Sequence, residues 1–119
     1  MDTTESLTSR VLTHHLTAFG NNDLDEIMND YTEESQVFTP GGLLSGLSAI
    51  RRFFEEFFVA IPSGSAFEMK QLTVKENVAY IVWASETSIE NIPLGTDTFF
   101  FEGDKIRYHT VADYRLKKY

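Results

Sequence analysis

The chain predicts an α+β fold, with helices packed on one face of an antiparallel sheet. Two observations carry that expectation. Apolar residues recur at helical spacing through roughly the first half, and β-branched and aromatic runs broken by short turns fill the second half. The last two runs, Thr96 to Glu102 and Lys105 to Asp113, flank a Gly103-Asp104 turn and read as a long antiparallel hairpin.

With 119 residues the chain is read as one domain, 1–119. That length buries about two-thirds of the surface an unfolded chain exposes, enough to fold alone. Ten Phe are heavy for this length and suit a large core, a greasy cavity or a subunit interface. No cysteine is present, which removes disulfides and thiolate chemistry and fits a reducing compartment. The polar, acidic start and the lack of a long apolar run suggest a cytoplasmic protein with no membrane span. A formal charge of −8 opposes nucleic acid and anionic membranes; Arg115, Lys117 and Lys118 form one small basic tail.

The first helix has its stripe at Leu7, Val11, Leu12, His15 and Phe19, counting about 100° per residue. His15 falls inside that stripe and His14 at its edge. His15 is thus either a core histidine with one hydrogen bond or a pocket donor or base. Gly20-Asn21-Asn22 stops this helix. Asp23 then caps a short second one, with Glu26 in the capping-box position. Leu24, Ile27, Met28 and Tyr31 keep the i, i+3, i+4, i+7 spacing, which turns Tyr31 inward. Its hydroxyl then needs a partner, and His15 is one option. Gln36 to Thr39 reads as a short strand closed by Pro40-Gly41-Gly42. That Pro-Gly-Gly run lacks a phosphate-loop pattern and is read as a turn.

A third helix, begun by Ser45 or Ser48, carries Leu47, Ile50, Phe53, Phe54, Phe57, Phe58 and Ile61 before Pro62-Ser63-Gly64 ends it. Strands follow at Phe67 to Val74 and Val78 to Thr87. The second of these is apolar on both faces until Glu86, as for a central strand covered by helices on one side and by a partner subunit on the other. Asn91 to Gly95 is read as a loop leading into the final hairpin.

Into its apolar arms that hairpin places Asp97, His109 and Asp113, residue types that are costly to bury without a partner. Their facing depends on the turn. A three-residue turn with a bulge puts Asp97, His109, Val111 and Asp113 on one face; a two-residue turn sets Asp97 with Tyr108 and Thr110 instead. The first arrangement is favoured. His109 oriented by Asp113 would make a base, whereas Asp113 paired with Arg107 or Arg115 would be a rim ion pair. His15, His109, Asp97 and Asp113 have ligating atoms, but no tight motif gathers them, so neither metal nor cofactor is expected.

The run from Asn22 to Met28, then Asp30 to Val37, Pro40-Gly41-Gly42, Gly46 and Ala49-Ile50 resembles the SnoaL-like and ketosteroid-isomerase-like group of the nuclear transport factor 2-like superfamily. Thr96 to Phe99 and Gly103 to Ile106 resemble its second half. The resemblance implies a cone-shaped, cystatin-like fold: a curved, antiparallel-rich mixed sheet around a long helix, enclosing a deep apolar pocket, usually in a homodimer. Isomerases, cyclases, epoxide hydrolases, dehydratases and non-catalytic modules share it.

By position, the ketosteroid isomerase general base falls at Thr39, which cannot act as one at neutral pH. The oxyanion-hole tyrosine falls at His15 and the aspartic acid at Asp97. Tyr31 matches a supporting tyrosine, and Phe54 replaces another. Burial without a cation would keep Asp97 neutral and able to donate a hydrogen bond. The expected catalytic set is Asp97, His15, His109 and Asp113. The expected lining is Tyr31, Thr39, Phe54, Phe57, Val82, Glu86, Phe99 and Val111. The resulting expectation is a pocket for a small hydrophobic carbonyl, phenol or epoxide compound, either with cofactor-free acid/base chemistry or as a passive binding module.

Overall fold

The computed structural model describes residues 3–118. Three helices come first: α1 (Thr4–Gly20), α2 (Leu24–Met28) and, after a small hairpin of β1 (Gln36–Thr39) and β2 (Gly42–Ser45), α3 (Leu47–Ala60). Four long strands follow: β3 (Ala66–Lys75), β4 (Val78–Glu86), β5 (Glu90–Glu102) and β6 (Lys105–Lys117). All six strands form one sheet in the order β2-β1-β6-β5-β4-β3. Every pairing is antiparallel except β1 with β6, so the sheet is mixed.

Local chemistry sets the helix ends. Thr3 Oγ1 accepts from the Ser6 amide to start α1, and Asp23 Oδ1 accepts from the Glu26 amide to start α2. Asn22 takes a left-handed φ of 51° between them; its side chain also binds the Ile61 carbonyl and the Ser63 amide, tying the ends of α1 and α3 together. The start of α3 departs from the serine expected there. Gly46, at φ 85°, occupies the cap position, and the Glu33 carboxylate accepts from the Leu47 amide at 3.0 Å. A side chain from outside the helix thus supplies the acceptor that a capping serine would have given.

The core lies between the helices and the inner face of the sheet. Ala79, Ile81 and Trp83 of β4 alternate inward, as do Asp97, Phe99 and Phe101 of β5 and Ile106, His109 and Val111 of β6. Ile50, Phe54 and Phe57 of α3 and Val11 and Leu12 of α1 meet them. Thr8 donates to the Glu76 carbonyl at 2.8 Å and pins α1 to the β3–β4 turn.

The register settles the facing of the last hairpin. Its turn is the two residues Gly103 and Asp104, with Glu102 opposite Lys105 and Gly103 at φ 63°. A register shift between Phe100 and Phe101 then leaves Arg107 as an extra residue on β6. The bulge restores the inward alternation that a plain two-residue turn would reverse. Asp97 faces Val111, Phe99 faces His109 and Gly95 faces Asp113. The favoured arrangement is therefore present, by a shorter turn than expected. The segment from Asn91 to Gly95, expected as a loop, belongs to β5. A second register shift between Asn91 and Leu94 accommodates Pro93, which cannot donate to a ladder.

Candidate functional site

Inward alternation on three neighbouring strands brings Trp83, Asp97 and His109 together beneath Tyr31. Trp83 Nε1 donates to Asp97 Oδ1 at 2.8 Å. Asp97 Oδ2 lies 2.6 Å from His109 Nε2, and His109 Nδ1 lies 2.9 Å from the Tyr31 hydroxyl. Asp97, His109 and Tyr31 are all buried. Burial pushes the Tyr31 phenol well above its ordinary value, with the charges of Asp97 and Asp30 adding to the effect, so it stays protonated.

Two proton arrangements fit the distances along this chain. A carboxylate can accept from His109 Nε2–H while Nδ1 accepts from Tyr31. Alternatively a carboxylic acid can donate to Nε2 while Nδ1–H donates to the Tyr31 oxygen.

Aromatic packing fixes the rings. His109 stacks on Phe99 with centroids 4.3 Å apart and 23° between planes. His15 meets Phe99 edge-on at 5.0 Å and His109 at 5.9 Å. Trp83 stacks on Phe67 at 5.4 Å. Gly95, opposite Trp83 in the ladder, makes room for the indole, since a Cβ there would fall 2.2 Å from Trp83 Cε2. His15, Trp83, Asp97 and His109 are the polar members of a cavity otherwise walled by apolar side chains, among them Phe53, Phe54, Phe57 and Phe99. Its volume is about 20 Å³, room for one water-sized body. The Phe side chains fill most of the pocket that the sequence led us to expect.

His15 is buried, and desolvation lowers its pKa, with partial opposition from Asp30. Its Nδ1 lies 3.6 Å from Asp30 Oδ2, beyond a hydrogen bond. The hydroxyl of Tyr31 binds His109 rather than His15.

Several expected residues lie elsewhere. Asp113 shares the inward face but sits at the rim, where both its oxygens bind Arg115, at 2.7 and 3.2 Å. It does not orient His109; Asp97 and Tyr31 occupy both ring nitrogens. Thr39 closes the β1–β2 turn by donating to the Gly42 carbonyl and does not line the cavity. Val82 and Glu86 occupy outward positions of β4, the latter bound to Lys118 Nζ at 2.6 Å. Val111 is buried beside Asp97 in the register without lining the cavity. Phe54, Phe57 and Phe99 do line it.

Sequence reasoning missed Trp83 and Asp30. The alternation of Ala79, Ile81 and Trp83, with Gly95 placed to receive the ring, was the available signal for the first. Asp30 precedes the inward Tyr31, but nothing in its spacing marked it. Among the described residues, no group of three or more His, Asp or Glu is placed to hold a metal ion, and no helix is long and apolar enough to cross a membrane.

A SnoaL-like domain model matches residues 12–117. The chain belongs to the SnoaL-like family. No curated protein matches its sequence. Among solved structures, an NTF2-like protein of unknown function from Mesorhizobium loti superposes with a TM-score of 0.79 at 16% identity, covering 96% of each chain. The epoxide hydrolase/cyclase-like enzyme SalBIII, associated with pyran ring formation in salinomycin, gives 0.75 at 18% identity over 90% of each chain. A Kribbella flavida protein assigned as a ketosteroid isomerase gives 0.73 at 14% identity, over 95% of this chain and 80% of that one. At such identities the likeness concerns the fold: NTF2-like, with the cystatin-like arrangement of helices against a curved sheet.

Proposed function

We propose that this SnoaL-like protein binds a small hydrophobic molecule bearing a carbonyl, phenol or epoxide oxygen and moves a proton at that oxygen or beside it without a cofactor. The observation that carries the reading is the buried Trp83–Asp97–His109–Tyr31 chain, of which Trp83, Asp97 and His109 line an apolar cavity while Tyr31, expected in the lining, lies behind His109. Polar groups in so apolar a core are costly unless satisfied or used. Asp97 is the group placed to exchange the proton, since its oxygens keep lone pairs beyond their bonds to Trp83 and His109, whereas each nitrogen of His109 has one site and both are engaged. His109 and Tyr31 redistribute protons behind it, and the neutral His15 ring supplies a second polar contact. Isomerisation, cyclisation, dehydration and epoxide opening all need this pairing of an acid and a base. The fold likeness to SalBIII supports that range of chemistry.

The small cavity favours a second reading, a non-catalytic binding module whose pocket opens only around a ligand. A thermal-shift panel of cyclic ketones, phenols and epoxides separates the two. A ligand at about 100 times its dissociation constant adds roughly 2.7 kcal/mol and raises the melting temperature by several degrees. Under the acid/base reading a ketone, phenol or epoxide stabilises the wild type, Asp97→Asn abolishes its turnover, and His15→Leu weakens its binding. Ligand-induced stabilisation with no turnover, unchanged by Asp97→Asn, selects the passive module. A cooperative melt that no compound shifts rejects both.

A further inference from the structure

The Asp30 carboxylate lies outside the Asp97–His109–Tyr31 chain and does not line the cavity. Its side chain is 6% exposed, and its backbone is held where the Ile106 amide donates to its carbonyl at 2.7 Å. Oδ1 lies 2.8 Å from His14 Nδ1. Oδ2 has no hydrogen-bond partner, and neither does the buried Nδ1 of His15, yet these two atoms face each other at 3.6 Å. Two buried polar atoms that each lack a partner are costly, because neither regains the hydrogen bond it lost to water. A closing shift of well under one ångström would pair them.

On the outer side, His14 Nε2 lies 2.6 Å from Glu26 Oε1, and the His14 side chain is 37% exposed. A continuous line of proton-carrying groups therefore runs from solvent through His14 and Asp30 to His15, which lines the cavity.

We propose that His14, Asp30 and His15 form a proton path between solvent and the buried cavity, with Asp30 as the positioning residue that hands the proton from one ring to the other. The proposal deepens the acid/base reading and rests on it for its purpose. Each step conserves charge. Protonated His14 releases its Nδ1 proton to Asp30 Oδ1 and becomes neutral. The carboxylic acid turns, gives that proton to His15 Nδ1 and returns to carboxylate. His15, now an imidazolium, gives its Nε2 proton to a ligand oxygen and is left neutral with its proton on Nδ1; His14, left neutral with its proton on Nε2, turns its partly exposed ring to take a new proton from water at Nδ1, and a turn of the His15 ring resets the inner end. The reverse order removes a proton from the cavity.

The charged and titratable groups around His15 suit this order. Asp30 attracts a proton to it, as does Asp97, while His109 opposes one and burial opposes it most. The hydrogen bond that His14 donates to Glu26 favours the proton on His14, assisted by Asp30 against desolvation. At rest the proton therefore sits at the solvent end.

The test is the exchange with water of the His15 ring N–H, followed by NMR in protein labelled with 15N-histidine, with no ligand present. His14→Ala and Asp30→Asn should each slow that exchange at least about tenfold. Backbone amide exchange in α1 should stay unchanged, and added imidazole should restore the rate in His14→Ala by occupying the vacated site. An unchanged rate in His14→Ala, or a slowed rate that imidazole does not restore, overturns the path. His14 is partly exposed, so its variant carries the test even if Asp30→Asn does not fold. Because the readout needs no substrate, failure of the path and failure of the proposed chemistry are seen separately.

Discussion

His14 and His15 are adjacent in sequence and opposite in electrostatic sense. Burial lowers the pKa of His15, so below its ordinary value of 6.5 the unfolded chain takes up a proton that the folded His15 resists. Its contribution to stability is present above pH 6.5 and is lost as the pH falls toward the lowered folded value. For His14 the Glu26 hydrogen bond raises the folded value. Its contribution is complete below pH 6.5 and is lost as the pH rises through the raised value. His14 is too exposed for that contribution to be large. The expected outcome in urea titrations is a wild type that weakens on acidification below pH 6.5, and a His15→Phe variant in which that fall is reduced. An acid slope unchanged by His15→Phe would place its origin in the carboxylates. The helical stripe made His15 legible as an inward residue. The role of His14 was not legible, because its partners come from another element: Glu26 from the middle of the short α2 and Asp30 from just past its end.

Trp83 and Gly95 illustrate how elements, rather than residues, make the candidate site. The two face each other across the β4–β5 ladder, and the indole lies flat over the position a Cβ would occupy, 2.2 Å from the nearest ring atom. Gly95→Ala must therefore push the ring off the strand, at a cost of about 1–3 kcal/mol for overpacking. It should also break the Trp83–Asp97 hydrogen bond. Tryptophan emission, which reads a single residue here, should change together with a lowered urea midpoint; a variant with wild-type emission and stability would contradict this account of Gly95.

At this scale much was legible. The apolar repeat of α3 is a strong local signal that places Phe54 and Phe57 inward, whereas β4 read as apolar on both faces and His109 was set inward only by favouring one of two turn geometries. The β2 strand, the glycine cap of α3 and the Arg107 bulge were not legible, since each depends on a partner distant in sequence: β1, Glu33 and β5 respectively. The bulge mattered most, because a shift of one residue on β6 decides whether His109 or Tyr108 meets Asp97.

The whole molecule has two contrasting surfaces. Its formal charge is −8, yet the middle of the outward face of the central strands is uncharged: Tyr80, Thr98, Thr110 and Phe38 form one row across β4, β5, β6 and β1, with Phe100 and Tyr108 alongside. Phe38, Tyr80 and Phe100 are each exposed by about two-fifths. Two acidic copies repel wherever charge meets charge, so an uncharged apolar face is where a second copy of this chain can approach at least cost. We propose a homodimer through this face, related by a two-fold axis that sets the same patch against itself. Light scattering should then give twice the 13.6 kDa chain mass, and the melting temperature should rise with protein concentration. Tyr80→Glu sets like charges near each other across the axis and should return the mass to that of one chain, at little cost to the monomer because Tyr80 points away from the core. A wild type that stays monomeric as concentration rises, or a Tyr80→Glu variant that remains dimeric, would remove this face as the interface. The inner cavity would be untouched by either result, because it is lined by side chains of a single chain, from α1, α3 and the inner face of β3 through β6.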